Sequence, residues 1–176
     1  MIFRATDLAG LVEILPERVR DARGGFFRSF CAEEFARAGL DFRPVQVSFS
    51  ENPHRHTLRG LHWQEAPATE RKLIRCVRGA VHDVAVDLRP RSATRGGHVA
   101  VTLSAEAGNA IFIPAGFAHG FLSLTEGAVL EYMMDAPFAP GLARGLRWND
   151  PALGIGWPAT PAVISERDAT WPDLDG

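Results

Sequence analysis

Two histidines lie in short motifs whose side chains could carry acid–base chemistry. The first motif is Arg59-Gly-Leu-His-Trp-Gln64, the second is Pro114-Ala-Gly-Phe-Ala-His-Gly-Phe121, and Lys72 opens an apolar run between them. An imidazole can remove a proton from carbon, and Arg or Lys can stabilise the resulting negatively charged oxygen, provided that the groups share a pocket away from bulk water. These residue types predict an isomerase that needs no cofactor.

The composition restricts the kinds of protein that this chain can be. Of its 176 residues, 46% are hydrophobic and 23% are charged, which predicts one compact domain over residues 1–176. A net charge of −2 gives no general attraction to nucleic acid or to an anionic membrane, so local Arg and Lys groups must bind any anionic ligand. The N-terminus lacks the pattern of a signal peptide, and no run of ~18 apolar residues occurs. We therefore expect a cytoplasmic protein.

Short apolar runs separated by Gly, Pro, Asp and Asn recur along the chain and predict many strands and few helices. The predicted strands span residues 11–15, 25–30, 45–50, 58–64, 72–77, 81–88, 98–103, 110–113, 120–124 and 128–133. One short helix is predicted over residues 32–38, with Glu33 and Glu34 in its first turn and Gly39 at its end. This pattern is typical of an all-β sandwich or barrel.

The strand around the first histidine indicates which side chains can act together. Because residues alternate faces along a strand, Gly60, His62 and Gln64 share one face, and Arg59 nominally points to the other. A glycine inside a strand often marks a bulge, so we expect Gly60 to turn Arg59 toward His62. Lys72 can meet His62 only in the right strand register, which the sequence does not fix.

Seven stretches of the sequence, in their order and spacing, resemble the dTDP-4-dehydrorhamnose 3,5-epimerase family between Asp21 and Asp168. These stretches are Arg59-Gly-Leu-His-Trp-Gln64, Lys72-Leu-Ile-Arg-Cys76, Asp83-Val-Ala-Val-Asp87, Ile113-Pro-Ala-Gly-Phe-Ala-His-Gly-Phe121, Tyr132, Trp148-Asn-Asp150 and Ser165-Glu-Arg-Asp168. The resemblance implies a cupin-type double-stranded β-helix, or jelly roll, with a short helix. It also implies a homodimer whose subunits exchange N-terminal strands. It further implies that the protein uses neither a metal nor another cofactor.

The resemblance also implies catalytic roles. His62 would be the general base, oriented by Asp168 and stabilised by it as an imidazolium. Lys72, together with His119, would stabilise the enolate that forms when a proton leaves the carbon beside a ketone. Tyr132 would return a proton from the opposite face of the sugar ring, since inversion requires removal and delivery on opposite sides.

The implied substrate is a nucleotide-diphosphate 4-keto-6-deoxy-hexose, inverted at C3, at C5 or at both. The residues expected to bind it are Arg23, Phe27, Arg28, Gln46, Ser48, Arg59, His119, Phe138 and Arg167. Gly25 stands where thymidine-specific members carry a stacking aromatic residue, Arg28 replaces a glutamate that contacts the base, and Ser48 replaces an asparagine. From these departures we hypothesise a nucleotide base other than thymine.

Three alternative functions remain open. A 3,4-ketoisomerase begins with the same proton abstraction, but enzymes of that kind with a similar fold do not depend on a tyrosine in the role of Tyr132. A metal-dependent cupin would use His62 and His119 as ligands, yet the usual His-x-His pair is absent because Trp63 and Gln64 follow His62. A sugar-binding jelly roll would need the pocket but no histidine–aspartate pair.

Overall fold

A computed structural model describes residues 1–174 of the chain. These residues form thirteen β-strands and two short α-helices, numbered here in chain order. The strands are β1 (Ile2–Ala5), β2 (Val12–Leu15), β3 (Val19–Asp21), β4 (Gly24–Phe26), β5 (Gln46–Asn52), β6 (Leu58–Gln64), β7 (Lys72–Arg78), β8 (Ala80–Asp87), β9 (His98–Ser104), β10 (Ala110–Ile113), β11 (Phe117–Ser123), β12 (Ala128–Met134) and β13 (Ala143–Gly145). The helices are α1 (Ala32–Arg37) and α2 (Glu166–Ala169), and a 3₁₀ turn spans Pro140–Leu142.

Two antiparallel sheets form the body of the protein. The first has six strands in the order β1-β2-β10-β7-β12-β5, and the second has five in the order β13-β6-β11-β8-β9. Inward-facing side chains of both sheets, among them Ile74, Leu103, Ile113, Phe121 and Leu130, form one fully buried cluster. This arrangement confirms the predicted jelly-roll fold, in which an apolar core fills the space between two sheets.

Other segments cover the outer faces of the two sheets. Helix α1 brings Phe35 against Phe112 on the outer face of the first sheet and against Phe42 of the loop that follows α1, with ring centroids about 6 Å apart. On the second sheet, Leu146 and Leu153 of the C-terminal segment bury the outward-facing side chains of β6, β8 and β11. Because the C-terminal segment lies on this sheet, it can deliver side chains to β6.

The strand predictions agree with the structure for most of the chain, and two are wrong at their ends. The strands β6 and β10 have the predicted bounds. The predicted strand 25–30 ends at Phe26, because Ser29 turns its carbonyl toward Arg75 and the chain enters α1. The predicted strand 120–124 begins earlier, at Phe117, so His119 lies inside β11 rather than before it.

Four elements were not predicted, and each is short. The strands β1, β3 and β13 have three or four residues each and carry no run of buried apolar side chains. The helix α2 has four residues, too few for a helical hydrophobic period, and depends on Ser165 as its N-cap. The hairpin of β3 and β4 belongs to neither sheet, and all its strand residues are exposed.

Candidate active site

A histidine–aspartate pair joins the second sheet to the C-terminal helix. The Ser165 hydroxyl accepts a hydrogen bond from the backbone N–H of Asp168 at 3.1 Å and so caps α2. This cap holds Asp168 toward β6, where His62 Nε2 donates to its Oδ1 at 2.7 Å. Since Nε2 carries the shared proton, the neutral ring of His62 presents an unprotonated Nδ1, which has no partner within residues 1–174.

The Asp168 carboxylate has three donors. Besides His62, the backbone N–H of Gly60 donates to Oδ2 at 3.1 Å and the Trp171 indole donates to Oδ1 at 3.3 Å. Burial by itself would raise the pKa of Asp168, but the hydrogen bond and charge of His62, with the other two donors, lower this pKa below its usual value. The carboxylate is therefore ionised and can stabilise a protonated His62.

A β-bulge in β6 brings Arg59 to the same face as His62. His62 pairs with His119 of β11 and Arg59 pairs with Phe121, so three residue steps on β6 match two on β11. The extra residue confirms the bulge that Gly60 predicts, and Gly60 has φ +122°, a conformation that side chains other than glycine rarely adopt. Because one additional residue reverses the alternation, Arg59 and His62 lie on the same face of β6.

The Arg59 guanidinium is held at the edge of the first sheet. Its Nε donates to Oδ1 of Asn52 at 2.9 Å, and Nη2 donates to the carbonyl of Glu51 at 3.1 Å. The strands β6 and β11 approach each other closely at the bulge: a Cβ at Gly120 would lie only 2.8 Å from the Arg59 carbonyl oxygen. Arg59 thus spans from the second sheet to β5 of the first.

Lys72 connects the two sheets on another side of the pocket. Its ammonium lies 3.0 Å from Oε1 of Glu70 and donates to the His62 carbonyl at 3.3 Å. Glu70 also accepts a hydrogen bond from the Gln64 side-chain amide at 2.9 Å, so β6 holds both Glu70 and the Lys72 ammonium. The ion pair with Glu70 and the hydrogen bond to His62 hold the ammonium in place, and an ammonium with three N–H donors can also donate to a ligand oxygen.

A second histidine–aspartate pair lies beside the first. His119 Nε2 donates to Oδ2 of Asp83 at 2.8 Å, and both side chains are buried. The other carboxylate oxygen, Oδ1, is buried and has no partner within residues 1–174. Asp83 was not among the predicted site residues, although a carboxylate inside the apolar run of β8 was a signal of a buried polar role.

Tyr132, on β12 of the first sheet, lies against His119. Its ring meets the His119 ring edge-on, with centroids 5.7 Å apart. Burial, and next the negative charge of Asp83, raise the pKa of Tyr132 well above 10, and the positive charge of Arg59 only partly opposes this shift. The phenol is therefore protonated at neutral pH and can donate a proton.

Four predicted binding residues lie on or next to the elements that carry Tyr132 and Asp168. Ser48 on β5 is the register partner of Tyr132, and Gln46 lies two residues before it on the same face. The Gln46 side-chain oxygen accepts from the backbone N–H of Phe138 at 3.2 Å. Arg167 is exposed on α2, with its guanidinium carbon 4.8 Å from the ring centroid of Trp171.

Three other predicted binding residues lie elsewhere in the same chain. Arg23 pairs with Asp21 in the β3–β4 hairpin. Phe27 lies under the guanidinium of Arg18, 4.6 Å from its ring centroid, and Arg28 donates to Glu34 of α1 at 2.6 Å. Asp21 belongs to the hairpin, Arg18 directly precedes it, and Glu34 lies on α1. The structure does not bring them to His62 within one chain.

Neither a metal cluster nor a membrane helix is found in the part of the chain that the structure describes. Over residues 1–174, His, Cys, Asp and Glu side chains nowhere gather in threes in a way that could hold a metal ion. Each of the two site histidines instead bonds to its own carboxylate through Nε2. No described helix is long and apolar enough to cross a membrane.

Comparison with known proteins identifies relatives along the whole chain. The family model described as dTDP-4-dehydrorhamnose 3,5-epimerase matches residues 5–176. The enzyme of that name from Sinorhizobium fredii is 42% identical over 175 residues, which cover 99% of this chain and 90% of the relative. Two solved structures are equally extensive matches.

The first solved structure is the Legionella pneumophila dTDP-6-deoxy-D-glucose-3,5-epimerase in complex with dTDP-4-keto-L-rhamnose. It is 37% identical, with a TM-score of 0.93 and coverage of 99% of this chain and 93% of that one. The second is a 3'-monoepimerase from Streptomyces bikiniensis in complex with dTDP-quinovose, also 37% identical, with a TM-score of 0.92 and coverage of 98% and 87%. Given the family match over nearly its full length, this chain belongs to the dTDP-4-dehydrorhamnose 3,5-epimerase family.

Proposed function

We propose that this protein is a cofactor-independent epimerase that inverts C3, C5 or both of a nucleotide-diphosphate 4-keto-6-deoxy-hexose. The observation that carries the proposal is the arrangement of His62, held by Asp168, on one sheet and Tyr132 on the other, with His119 between them. A base and an acid on opposite walls of one pocket are what inversion at carbon requires. The family membership of the chain supports the same function.

Proton removal falls to Nδ1 of His62. Asp168 accepts a hydrogen bond from the protonated Nε2, so Nδ1 carries the lone pair that removes a proton from the carbon beside the ketone. The ring becomes an imidazolium, and the ionised Asp168 stabilises this charge at 2.7 Å. The pair therefore lowers the energy of the charged state that forms during the reaction.

The enolate oxygen needs a positive partner, because a proton beside a ketone is too weakly acidic for imidazole alone. Lys72 offers an ammonium that Glu70 and the His62 carbonyl hold in place and that can donate to the enolate oxygen. His119 offers Nδ1, which donates only when the ring is protonated, since Nε2 already donates to Asp83. Tyr132 then delivers a proton to the opposite face and completes the inversion.

Thymidine is the nucleoside that we propose for the substrate. The two solved relatives hold dTDP sugars. The sequence-based hypothesis of another base depended in part on the charge of Arg28, and that charge is paired with Glu34 at 2.6 Å. Thermal-shift titration with dTDP, UDP, CDP and GDP tests this point, and tighter binding of any of the other three would favour the alternative.

A homodimer that exchanges its N-terminal hairpins accounts for the binding residues that one chain does not bring to the site. Arg23 has a side chain that is 90% exposed, and Val19 and Phe26 of the same hairpin are largely exposed apolar residues. The edge strand β5 also presents Val47 and Phe49 to the outside. An exposed apolar surface of this kind is typical of an interface.

Mixed dimers test the exchange of hairpins. If Arg23 acts in the partner's site, a dimer of one His62→Ala chain and one Arg23→Ala chain contains one intact site, and mixing two inactive proteins restores part of the activity. No recovery on mixing, with mixed dimers demonstrated by mass spectrometry, would place Arg23 outside the partner's site.

Deuterium wash-in tests the reaction itself. A panel of 4-keto-6-deoxy nucleotide sugars is incubated with the protein in D₂O, and NMR follows deuterium at C3 and C5 and the configuration of the product. Inverted centres that carry deuterium support the epimerase. A 3-keto product would indicate a 3,4-ketoisomerase, and binding without exchange would indicate a sugar-binding protein.

A further inference from the structure

Trp171 lies directly against the strand that carries His62. Gly145 of β13 is the register partner of His62, and a Cβ at Gly145 would overlap the Trp171 indole ring. The Arg167 guanidinium also lies over the indole ring, 4.8 Å from its centroid. The ring is thus fixed between β13 and α2, next to the dyad.

The indole N–H shares a single acceptor atom with the base. Trp171 Nε1 donates to Oδ1 of Asp168 at 3.3 Å, and His62 Nε2 donates to the same oxygen at 2.7 Å. Gly60 uses the other oxygen. A donor on the shared oxygen withdraws negative charge from the bond to His62, so the carboxylate stabilises the imidazolium less than it would with His62 as its only partner on that oxygen.

We propose that Trp171 is a positioning residue that weakens the basicity of the His62–Asp168 dyad and fixes the orientation of its carboxylate. The catalytic consequence rests on the proposed function, because it supposes that His62 removes the proton. The hydrogen-bond coupling between Trp171 and the dyad does not depend on which reaction the protein catalyses.

Other charged and titratable groups also face the dyad and must be kept constant in any test. These groups are Arg59 on β6, Lys72 on β7, His119 on β11, Tyr132 on β12 and Arg167 on α2. A Trp171→Phe substitution leaves all five in place and keeps a flat aromatic ring over Gly145. It removes the N–H donor together with one of the two fused rings, so the pH profile and not the rate alone must be compared with the wild type.

NMR of the indole N–H groups tests the coupling without any substrate. In the wild-type protein, the Trp171 indole signal is expected to shift with pH at the midpoint of the His62 ring signals. Trp157, whose indole donates to the carbonyl of Trp148 at 2.8 Å, is the internal control and should not follow that midpoint. A Trp171 signal that ignores the titration of His62 would overturn the proposal.

The pH profile of deuterium wash-in tests the effect on the base. Without the indole donor, Asp168 stabilises the imidazolium more strongly, so Trp171→Phe should move the acid limb of kcat/KM to higher pH by about half a unit, as expected for loss of one long hydrogen bond to a charged group. Trp157→Phe should leave the limb unchanged. A Trp171→Phe profile that only drops in height, with its limb unmoved, would show a merely structural role and contradict the proposal.

The two experiments separate the failure of this inference from the failure of the proposed function. If the wild-type protein exchanges no hydrogen with any substrate of the panel, the proposed function is wrong, yet the NMR titration still measures the coupling. If exchange is observed and Trp171→Phe matches the wild-type profile, the function stands and the inference about Trp171 is wrong.

Discussion

His62 on β6 and His119 on β11 are register partners and lie side by side on the second sheet. The Nε2 of each ring donates a hydrogen bond to a different buried carboxylate. The His62 side chain is 43% exposed, whereas the His119 side chain is 4% exposed. Asp168 has three donors, but Asp83 has one oxygen without a partner in the described residues. Each pair thus joins a histidine to a buried carboxylate, but only His62 is accessible to solvent. This difference suits His62 to act as the base and His119 to act as a fixed hydrogen-bond donor.

Removal of the base should abolish exchange. We expect His62→Ala to show no deuterium wash-in above background, because the variant lacks the Nδ1 that takes the proton and is paired, through its ring, with Asp168. Asp168→Asn should lower the exchange rate by about 10²–10⁴-fold, since the imidazolium loses its charged partner. Asp173→Asn, which removes a tail carboxylate that pairs with Arg147, is the matched control and should exchange normally. Full turnover by His62→Ala would remove the assignment of the base.

Loss of the phenol should separate exchange from inversion. In Tyr132→Phe, His62 still takes and returns a proton on one face, so wash-in should continue while inversion slows by about 10²-fold or more. NMR of the substrate after incubation in D₂O shows deuterium with retained configuration in this case. Equal rates of exchange and inversion in the variant would exclude Tyr132 as the proton donor.

The pH dependence of inversion should reflect the burial of Tyr132. Burial and the charge of Asp83 raise the pKa of this phenol well above 10, so it keeps its proton as the pH rises through the alkaline range. We therefore expect no loss of inversion from this group below about pH 10, the pKa of a solvated tyrosine. Inversion rates from pH 7 to 10 check this. A fall near pH 9 that disappears in Tyr132→Phe would contradict it.

The charge of Asp83 should matter for catalysis more than for folding. Asp83→Asn keeps the shape of the side chain but removes the charge that stabilises a protonated His119. We expect the exchange rate to fall about 10- to 10²-fold, as for loss of electrostatic support to a developing oxyanion. Circular dichroism and thermal unfolding check that the fold is kept. A folded variant with wild-type exchange would show that the His119–Asp83 pair has no catalytic role.

The close approach of β6 and β11 should be sensitive to a single methyl group. A Cβ at Gly120 would lie 2.8 Å from the Arg59 carbonyl and 2.9 Å from Leu61 Cδ2. We expect Gly120→Ala to lower the free energy of unfolding by about 1–3 kcal/mol, the usual cost of overpacking. Gly141→Ala has open space and is the control. Denaturant unfolding measures both, and equal stability of the two variants would contradict the tight strand contact.

Sequence patterns predicted an all-β sandwich or barrel because most of the strands are apolar runs bounded by turn residues, as β6 and β10 illustrate, and the resemblance to the family narrowed this fold class to a jelly roll. The resemblance to the family identified His62, Asp168, Tyr132 and Lys72, but patterns within single strands do not encode register. The pairing of His62 with His119, and of each with a carboxylate from elsewhere in the chain, depends on contacts between distant segments. Trp171 likewise lies in a tail without periodicity, so its contact with Asp168 had no local signal.

The two members of the dyad are 106 residues apart in the chain, and Asp168 arrives on a short helix after all thirteen strands. A nascent polypeptide emerging from the ribosome therefore exposes His62 well before its carboxylate is synthesised. Truncation before Ser165 would leave all thirteen described strands but remove this carboxylate, so enzyme activity requires synthesis through Asp168 and not formation of the strands alone.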